Sequence, residues 1–343
     1  MAEFVTGVID PPHLLGFVRA NAILQPPTLE SILPTVNVDD IAYELDQIGQ
    51  SLTEMASYRA WDTKPRLGRR AGFAQVRGEL APIGLSYRLN ETEVKRLNRL
   101  RNGGASAEAN TSLRRIYDDG LNSGNAVLAR EEAARADLLM DGIVTIVENG
   151  VNAPINFGVP GAQIVTAAIP WATTGTATPL TNLAAWQAIY RGNNGGRIPG
   201  AWVTSGAQIA NLNLNAEVRG ALAANGTTPA FATLTDVNNV LRIRGIAPIV
   251  QFDGMLPDAN GVATPTLATN KVIGIRQGMG NTLRTTAPAA ELMVARGLIQ
   301  ASVAPGLITY VLEFIQPASV TTTTESVSLP VLRDPNALFV ATV

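Results

Sequence analysis

The alternation of apolar and polar positions is the first signal along the chain. Ile83, Leu85, Tyr87 and Leu89 alternate with Gly84, Ser86, Arg88 and Asn90, the period-two pattern of a strand. Ile41, Tyr43 and Leu45 alternate in the same way with Ala42, Glu44 and Asp46. A further extended run covers 52–62, and TKPRLGRRAG at 63–72 carries Pro65, Gly68 and Gly72 beside four basic residues, the composition of a loop tip. Residues 52–89 read as a long two-stranded excursion. It holds too few apolar residues to be stable alone, so it is expected to pack on something else.

The period then changes. NGGASAEAN at 102–110 reads as a loop. From Thr111 to Glu148, Leu113, Ile116, Tyr117, Leu121, Leu128, Leu138, Met140, Ile143, Val144 and Val147 recur near the helical period. They predict a helix capped by Thr111 or Ser112 and about 55 Å long at 1.5 Å per residue. Gly120 and Gly124 lie one turn apart within it. Glycine costs about 1 kcal/mol in a helix, so close approach of another element is the expected reason.

Residues 151–180 read as short strands and turns. LTNLAAWQAIYR, GAQIANLNLNAEVRGALA and TLTDVNNVLRIRG read as helices; APIVQFDG, TNKVIGIRQG, 308–316 and 323–343 read as strands. The result is an α+β protein whose terminal strands are expected to rejoin the 151–180 region. At the other end, Pro11, Pro12, Pro26, Pro27 and Pro34 stand among apolar residues. Proline at that density breaks helices and strands, which predicts an extended arm lying on another surface.

Composition narrows the chemistry. Hydrophobic residues make up 46% and charged residues 16%, enough for a core and too little charge for a disordered chain. There is no cysteine, so disulfides and thiolate metal sites are excluded. The single histidine, His13, cannot build a zinc centre alone. Beside Pro11 and Pro12 it reads as a surface or interface residue. RGNNGGRIPG lacks the ending of a phosphate-binding loop and follows a helix, so it reads as an ordinary loop. The acidic neighbours Asp39–Asp40, Asp118–Asp119 and Glu131–Glu132 do not face one another on a helix and are expected on solvated faces. The tryptophans read as packing residues, with Trp61 beside the loop tip expected at an interface. The start, MAEFVTGVID, does not read as a signal peptide, and no apolar run approaches the roughly 18 residues of a membrane span. A cytoplasmic product with no catalytic residue, metal or cofactor is the expectation.

Charge adds an asymmetry. Residues 1–58 carry net −7, residues 59–115 net +8 and residues 116–343 net −3, although the whole chain is only −2. Neighbouring blocks of opposite sign suggest surfaces built to meet. On this reading Asp39, Asp40, Glu44 and Asp46 of one copy face Arg66, Arg69, Arg70 and Arg77 of another. Burial of Leu14, Leu15, Phe17 and Val18 between copies is the competing source of contact.

RAWDTKPRLGRRAGFAQVRGELAPIGLSYRLNETEV at 59–94 resembles the extended-loop segment of the lambda-type tailed-phage major capsid protein family, major capsid protein E. Asp62, Thr63, Pro65, Gly68, Arg70, Gly78, Glu79, Leu80, Pro82, Ile83, Arg88, Leu89 and Glu91 match the family pattern. LRRIYDDGLNSGNAVLAREEAARADLLMDGIVTI resembles its spine helix, and NAEVRGAL followed by APIVQFDG its axial domain. SVSLPVLRDPNALFVATV is similar to its terminal strand with the Asp334–Pro335 turn.

The resemblance implies the Hong Kong 97 phage-type capsid fold. Its parts fall as an N-terminal arm at 1–50, an extended loop with a two-stranded hairpin at 51–92, and a peripheral domain at 93–180 with the spine helix at 111–148. An axial domain at 181–315 follows, then C-terminal strands at 316–343 that return to the peripheral domain. It implies a structural subunit of hexamers and pentamers in an icosahedral virion shell around double-stranded DNA contacted without sequence specificity. Host-cytoplasmic assembly with a separate scaffolding protein and a portal is implied too, with room for a decoration protein and no membrane. The inter-subunit residues would be Trp61, Asp62, Lys64, Arg66, Arg69, Arg70, Phe73 and Arg77 on the loop, with Asp39, Asp40, Glu44 and Asp46 on the arm. An encapsulin-like compartment shell is the alternative with the same fold; cargo enzymes in a DNA-free shell would mark it.

Overall fold

The computed structural model describes residues 2–4, 9–47, 58, 61, 64, 74–101, 107–148, 151–223, 228–258, 261–315 and 317–343. In chain order the first elements are β1 (Ala2–Phe4), α1 (Pro11–Asn21), a 3₁₀ turn at Leu29–Ser31, β2 (Thr35–Asn37) and β3 (Ala42–Gln47). Next come β4 (Ala74–Glu79), β5 (Ala81–Leu89), α2 (Glu91–Arg101), α3 (Ala107–Asp141), β6 (Ile143–Glu148), β7 (Val151–Asn156) and β8 (Ile164–Thr166). The middle holds α4 (Pro179–Asn193), β9 (Ala201–Thr204), α5 (Gly206–Leu214), α6 (Ala216–Ala221), α7 (Leu234–Ile243) and β10 (Ile249–Gln251). The chain continues through β11 (Met255–Pro257), β12 (Ala263–Pro265), β13 (Lys271–Ile275), β14 (Gly280–Thr285), α8 (Pro288–Ala295), β15 (Ile308–Ile315), β16 (Ala318–Leu332) and β17 (Phe339–Thr342).

Two sheets organise these elements. The larger runs β1-β15-β16-β14-β2, with β5 also paired to β16. The smaller runs β10-β9-β13-β17-β8, parallel at its two outer pairs and antiparallel within. Helix α3 lies along the larger sheet. The terminal strand β17 pairs with β8 from the 151–180 region, as the sequence suggests, while β16 joins the other sheet. Trp171, Trp186 and Trp202 fill the core beside the smaller sheet, with Trp171 stacked on Trp186 at 5.9 Å and Trp202 edge-on to Phe339 at 5.5 Å. They are packing residues, as their spread predicts.

Four expectations are corrected. The spine helix does not span 111–148: it starts at Ala107, ends at Asp141, and is about 52 Å long at 1.5 Å per residue. Thr111 and Ser112 therefore lie inside it. Gly142 stops it with φ +79°, and the β-branched run Ile143–Val147 turns back as the hairpin β6–β7.

Second, the arm is not uniformly extended. Pro11 and Pro12 occupy the first helical turn of α1, where a missing N–H is harmless. Leu14, Leu15 and Val18 bury within their own chain, so they are not free to make the contact between copies. Arg19 fastens the helix by donating to the carbonyls of Leu307 and Pro305 at 2.8 and 2.9 Å. Burial, and then the charge of Arg284, hold its guanidinium below the usual arginine range.

Third, among the described residues the ribbon is built partly from the arm, and the extended run expected at 52–62 lies outside them but for Tyr58 and Trp61. β4 pairs with β3, which lies in the stretch assigned to the arm, and β5 belongs to the larger sheet. Fourth, 206–223 is two helices. Asn215 ends α5 and caps α6, accepting from the N–H groups of Glu217 and Val218.

The glycine reading holds. A Cβ on Gly124 would come within 2.9 Å of Val18 Cγ1 and 3.1 Å of Ala22 Cβ. One on Gly120 would meet Val18 Cγ2 at 3.1 Å. The two glycines make the seat in which α1 crosses α3.

Candidate inter-subunit surface

The ribbon β3–β4 joins the stretch before the loop region to the stretch after it. Its base is anchored by Tyr43, Leu45 and Leu80, all buried in the main core. Tyr43 lies opposite Gly78 in the register, and its ring covers that glycine so closely that a Cβ there would sit 2.6 Å from the hydroxyl. Burial pushes the Tyr43 phenol above the ordinary tyrosine value. On the other face Glu44 lies opposite Arg77 and pairs with it at 3.2 Å, both side chains being mostly exposed.

The expected interface residues fall out as follows. Asp39 and Asp40 are exposed in the turn before β3, and Asp40 accepts from the N–H of Ala42 at 3.2 Å. Glu44 and Arg77, expected to act between copies, meet inside one chain. Asp46 lies on β3 in register with Gln75. Trp61 is 95% exposed, and Tyr58 and Lys64 are exposed with it. Asp62, Arg66, Arg69, Arg70 and Phe73 lie outside the described residues. His13 is exposed on α1, with Nδ1 3.1 Å from the Tyr117 hydroxyl.

Sequence reasoning missed the polar cluster that fixes the body under this surface. Glu131 and Glu132, read as a solvated pair, are each 1% exposed. Glu132 pairs with Arg135 at 2.9 Å and accepts from the N–H of Leu29. Arg135 also donates to the hydroxyls of Thr282 at 2.8 Å and Thr35 at 2.9 Å. Glu131 accepts from Ser326 at 2.8 Å and Ser328 at 2.9 Å and pairs with Arg284. One turn of α3 is thereby bolted to β14, β16 and the segment leading into β2. A signal existed: continuing the helical period from Leu128 to Leu138 passes through Glu131 and Arg135.

The carboxylates near the C-terminal turn are also engaged. Glu325 accepts from the Tyr310 hydroxyl at 2.6 Å, and Asp334 pairs with Arg276 while accepting from the N–H of Asn336 at 3.2 Å. A groove of about 600 Å³ runs between β5, α3, β6 and the β11–β12 hairpin, floored by Ala133 and Ala134. Its charged residues are committed: Arg130 pairs with Glu148 at 3.0 Å, and Asp137 accepts from the N–H of Thr145 at 2.6 Å. Among the described residues no group of three acidic or histidine side chains could hold a metal ion, and no helix is long and apolar enough to cross a membrane.

Comparison with known proteins adds the lineage. The structure is similar to a chain assigned as the capsid protein of a prophage of E. coli CFT073, with a TM-score of 0.64 and 12% identity over 100% of this chain and 99% of that one. It is also similar to a phage-related protein from Bordetella bronchiseptica RB50, with a TM-score of 0.53 and 11% identity over 96% of each. At such identities the likeness shows the fold, which is that of the phage capsid proteins. No curated protein sequence matches the chain. The family model for phage major capsid protein E matches residues 26–343, all but the first 25. The chain therefore belongs to the phage major capsid protein E family.

Proposed function

We propose that copies of this chain assemble, in the host cytoplasm, into the hexamers and pentamers of an icosahedral virion shell enclosing double-stranded DNA. A separate scaffolding protein and a portal belong to this reading. The observation that carries it is the ribbon β3–β4, which is anchored at its base yet leads to Tyr58, Trp61 and Lys64, all exposed on the single chain. Large exposed aromatics between the strands of an anchored ribbon mark a surface meant for a partner, and the family supplies the partner as another copy.

The test is negative-stain imaging of the purified full chain beside a variant lacking residues 64–71. The parent is expected to form closed shells; the variant is expected to remain soluble and folded, yet form none. Normal shells from the variant would remove the loop from the contact. Shells that carry cargo enzymes and no nucleic acid would point to an encapsulin-like compartment instead.

A further inference from the structure

Helix α2 has one covered face and one bare face. Val94 and Leu97 are buried against Ile116 of α3, with Leu113 and Tyr117 packed around them. The opposite side carries Thr92, Lys95, Arg96, Asn98 and Arg99, all exposed. The nearby acids gather at the other end. Glu93 accepts from the N–H of Asn90 at 3.1 Å and pairs with Arg115, and Asp119 is close enough to Glu93 and Asp118 for their charges to help raise its pKa, after burial. Lys95, Arg96 and Arg99 have no acidic partner among the described residues.

Three cations without an acidic partner among the described residues, on one turn and a half of helix, stand out in a chain of net charge −2. Part of their placement suits the helix itself, since cations near a C-terminus complement the dipole. That effect fades within the last turn and does not require the face to be free of apolar residues. A protein partner is favoured by an apolar or aromatic anchor at the centre of the contact, and the described side chains of this face offer none. Base stacking needs aromatic side chains, and none is here either. What remains is a polar, cationic strip with side chains about 5–6 Å apart along the helix. Duplex DNA presents one negative charge for about every 1.7 Å of its axis, so each cation of the strip can face a phosphate.

We infer that the outward face of α2, through Lys95, Arg96 and Arg99, binds the phosphate backbone of double-stranded DNA and is turned toward the lumen of the shell. This rests on the shell reading above and adds to it the contacting residues and the side of the subunit that faces inward. Contacts of this kind position the duplex and carry no sequence information.

The test uses the full chain, as unassembled subunits, and a mixed-sequence DNA duplex, with anisotropy followed across a salt series. The triple variant Lys95→Gln, Arg96→Gln, Arg99→Gln is compared with the parent, and circular dichroism checks that both are folded. Each phosphate contact contributes about 0.9 to the slope of log affinity against log salt, so the triple variant is expected to lose about 2.7 of that slope. The single variant Arg99→Gln, expected to lose about 0.9, gives the same reading with less risk to folding. Slopes unchanged in both variants overturn the inference. A triple variant that keeps the slope but no longer forms shells also overturns it, because the face then meets an acidic surface of another copy. Preformed shells should not bind duplex added from outside; binding that the triple variant abolishes would place the face outward. Shell formation by the parent, scored by imaging, reports on the shell reading itself.

Discussion

At the scale of single residues, the glycines of α3 are the sharpest prediction. Gly124 leaves room for Val18 that no side chain can share, since the nearest atom would stand 2.9 Å from a new Cβ. Gly124→Leu is expected to destabilise the subunit by several kcal/mol; overpacking alone typically costs about 1–3 kcal/mol. On a solvated helix face the same change would be neutral or mildly stabilising, so a thermal melt separates the two. Gly124→Ala combined with Val18→Ala should recover most of the loss from Gly124→Ala alone. The seat was legible because two glycines one turn apart in a long helix conflict with helix propensity and ask for a reason. What the sequence could not supply was the element filling it. Pro11 and Pro12 pointed away from a helix, although the first turn is the one place in a helix where prolines fit.

At the scale of elements, pattern reasoning succeeded where one face is covered and failed where polar groups are buried or β-branched residues follow a helix. Val237, Val240 and Leu241 gave α7 its apolar face, and Thr233 with Asp236 closes its start as a capping box. The side chain and N–H of Thr233 hold the Asp236 carboxyl below its usual range. The boundary at Gly142 was misplaced because Ile143, Val144 and Val147 continue the apolar stripe while their branching favours a strand. Glu131 and Glu132 were misread, and their partner Arg135 was not singled out, because charge on a helix is usually solvated. Here they hold α3 to the larger sheet. Arg135→Ala is therefore expected to cost about 3–5 kcal/mol, since it leaves Glu132 buried without its partner. Chemical denaturation would show this as a lower midpoint; a loss below about 1 kcal/mol, typical of an exposed pair, would mean that water reaches the site.

At the scale of the whole molecule, the charge blocks and the fold meet only in part. Glu44 and Arg77 pair inside one copy, while Asp39 and Asp40 are exposed in the turn before the ribbon and can meet a neighbour. Reversing those two aspartates to lysine is expected to slow shell assembly without lowering the melting temperature of the subunit. Raising salt from about 0.05 to 1 M should slow the parent too, because the screening length falls to about 3 Å. Light scattering reads both, and a rate indifferent to salt would leave assembly to apolar contact alone. The two sheets carry a consequence for synthesis. β16 lies between β5, β14 and β15, and β17 between β13 and β8, so both sheets take central strands from residues 318–342. A ribosome adds roughly 5–20 residues per second, so a growing chain holds unpaired strands until residues 318–342 emerge. Synthesis of residues 318–342 thus acts as the timer for folding, and a polypeptide interrupted near residue 317 lacks an interior strand of each sheet.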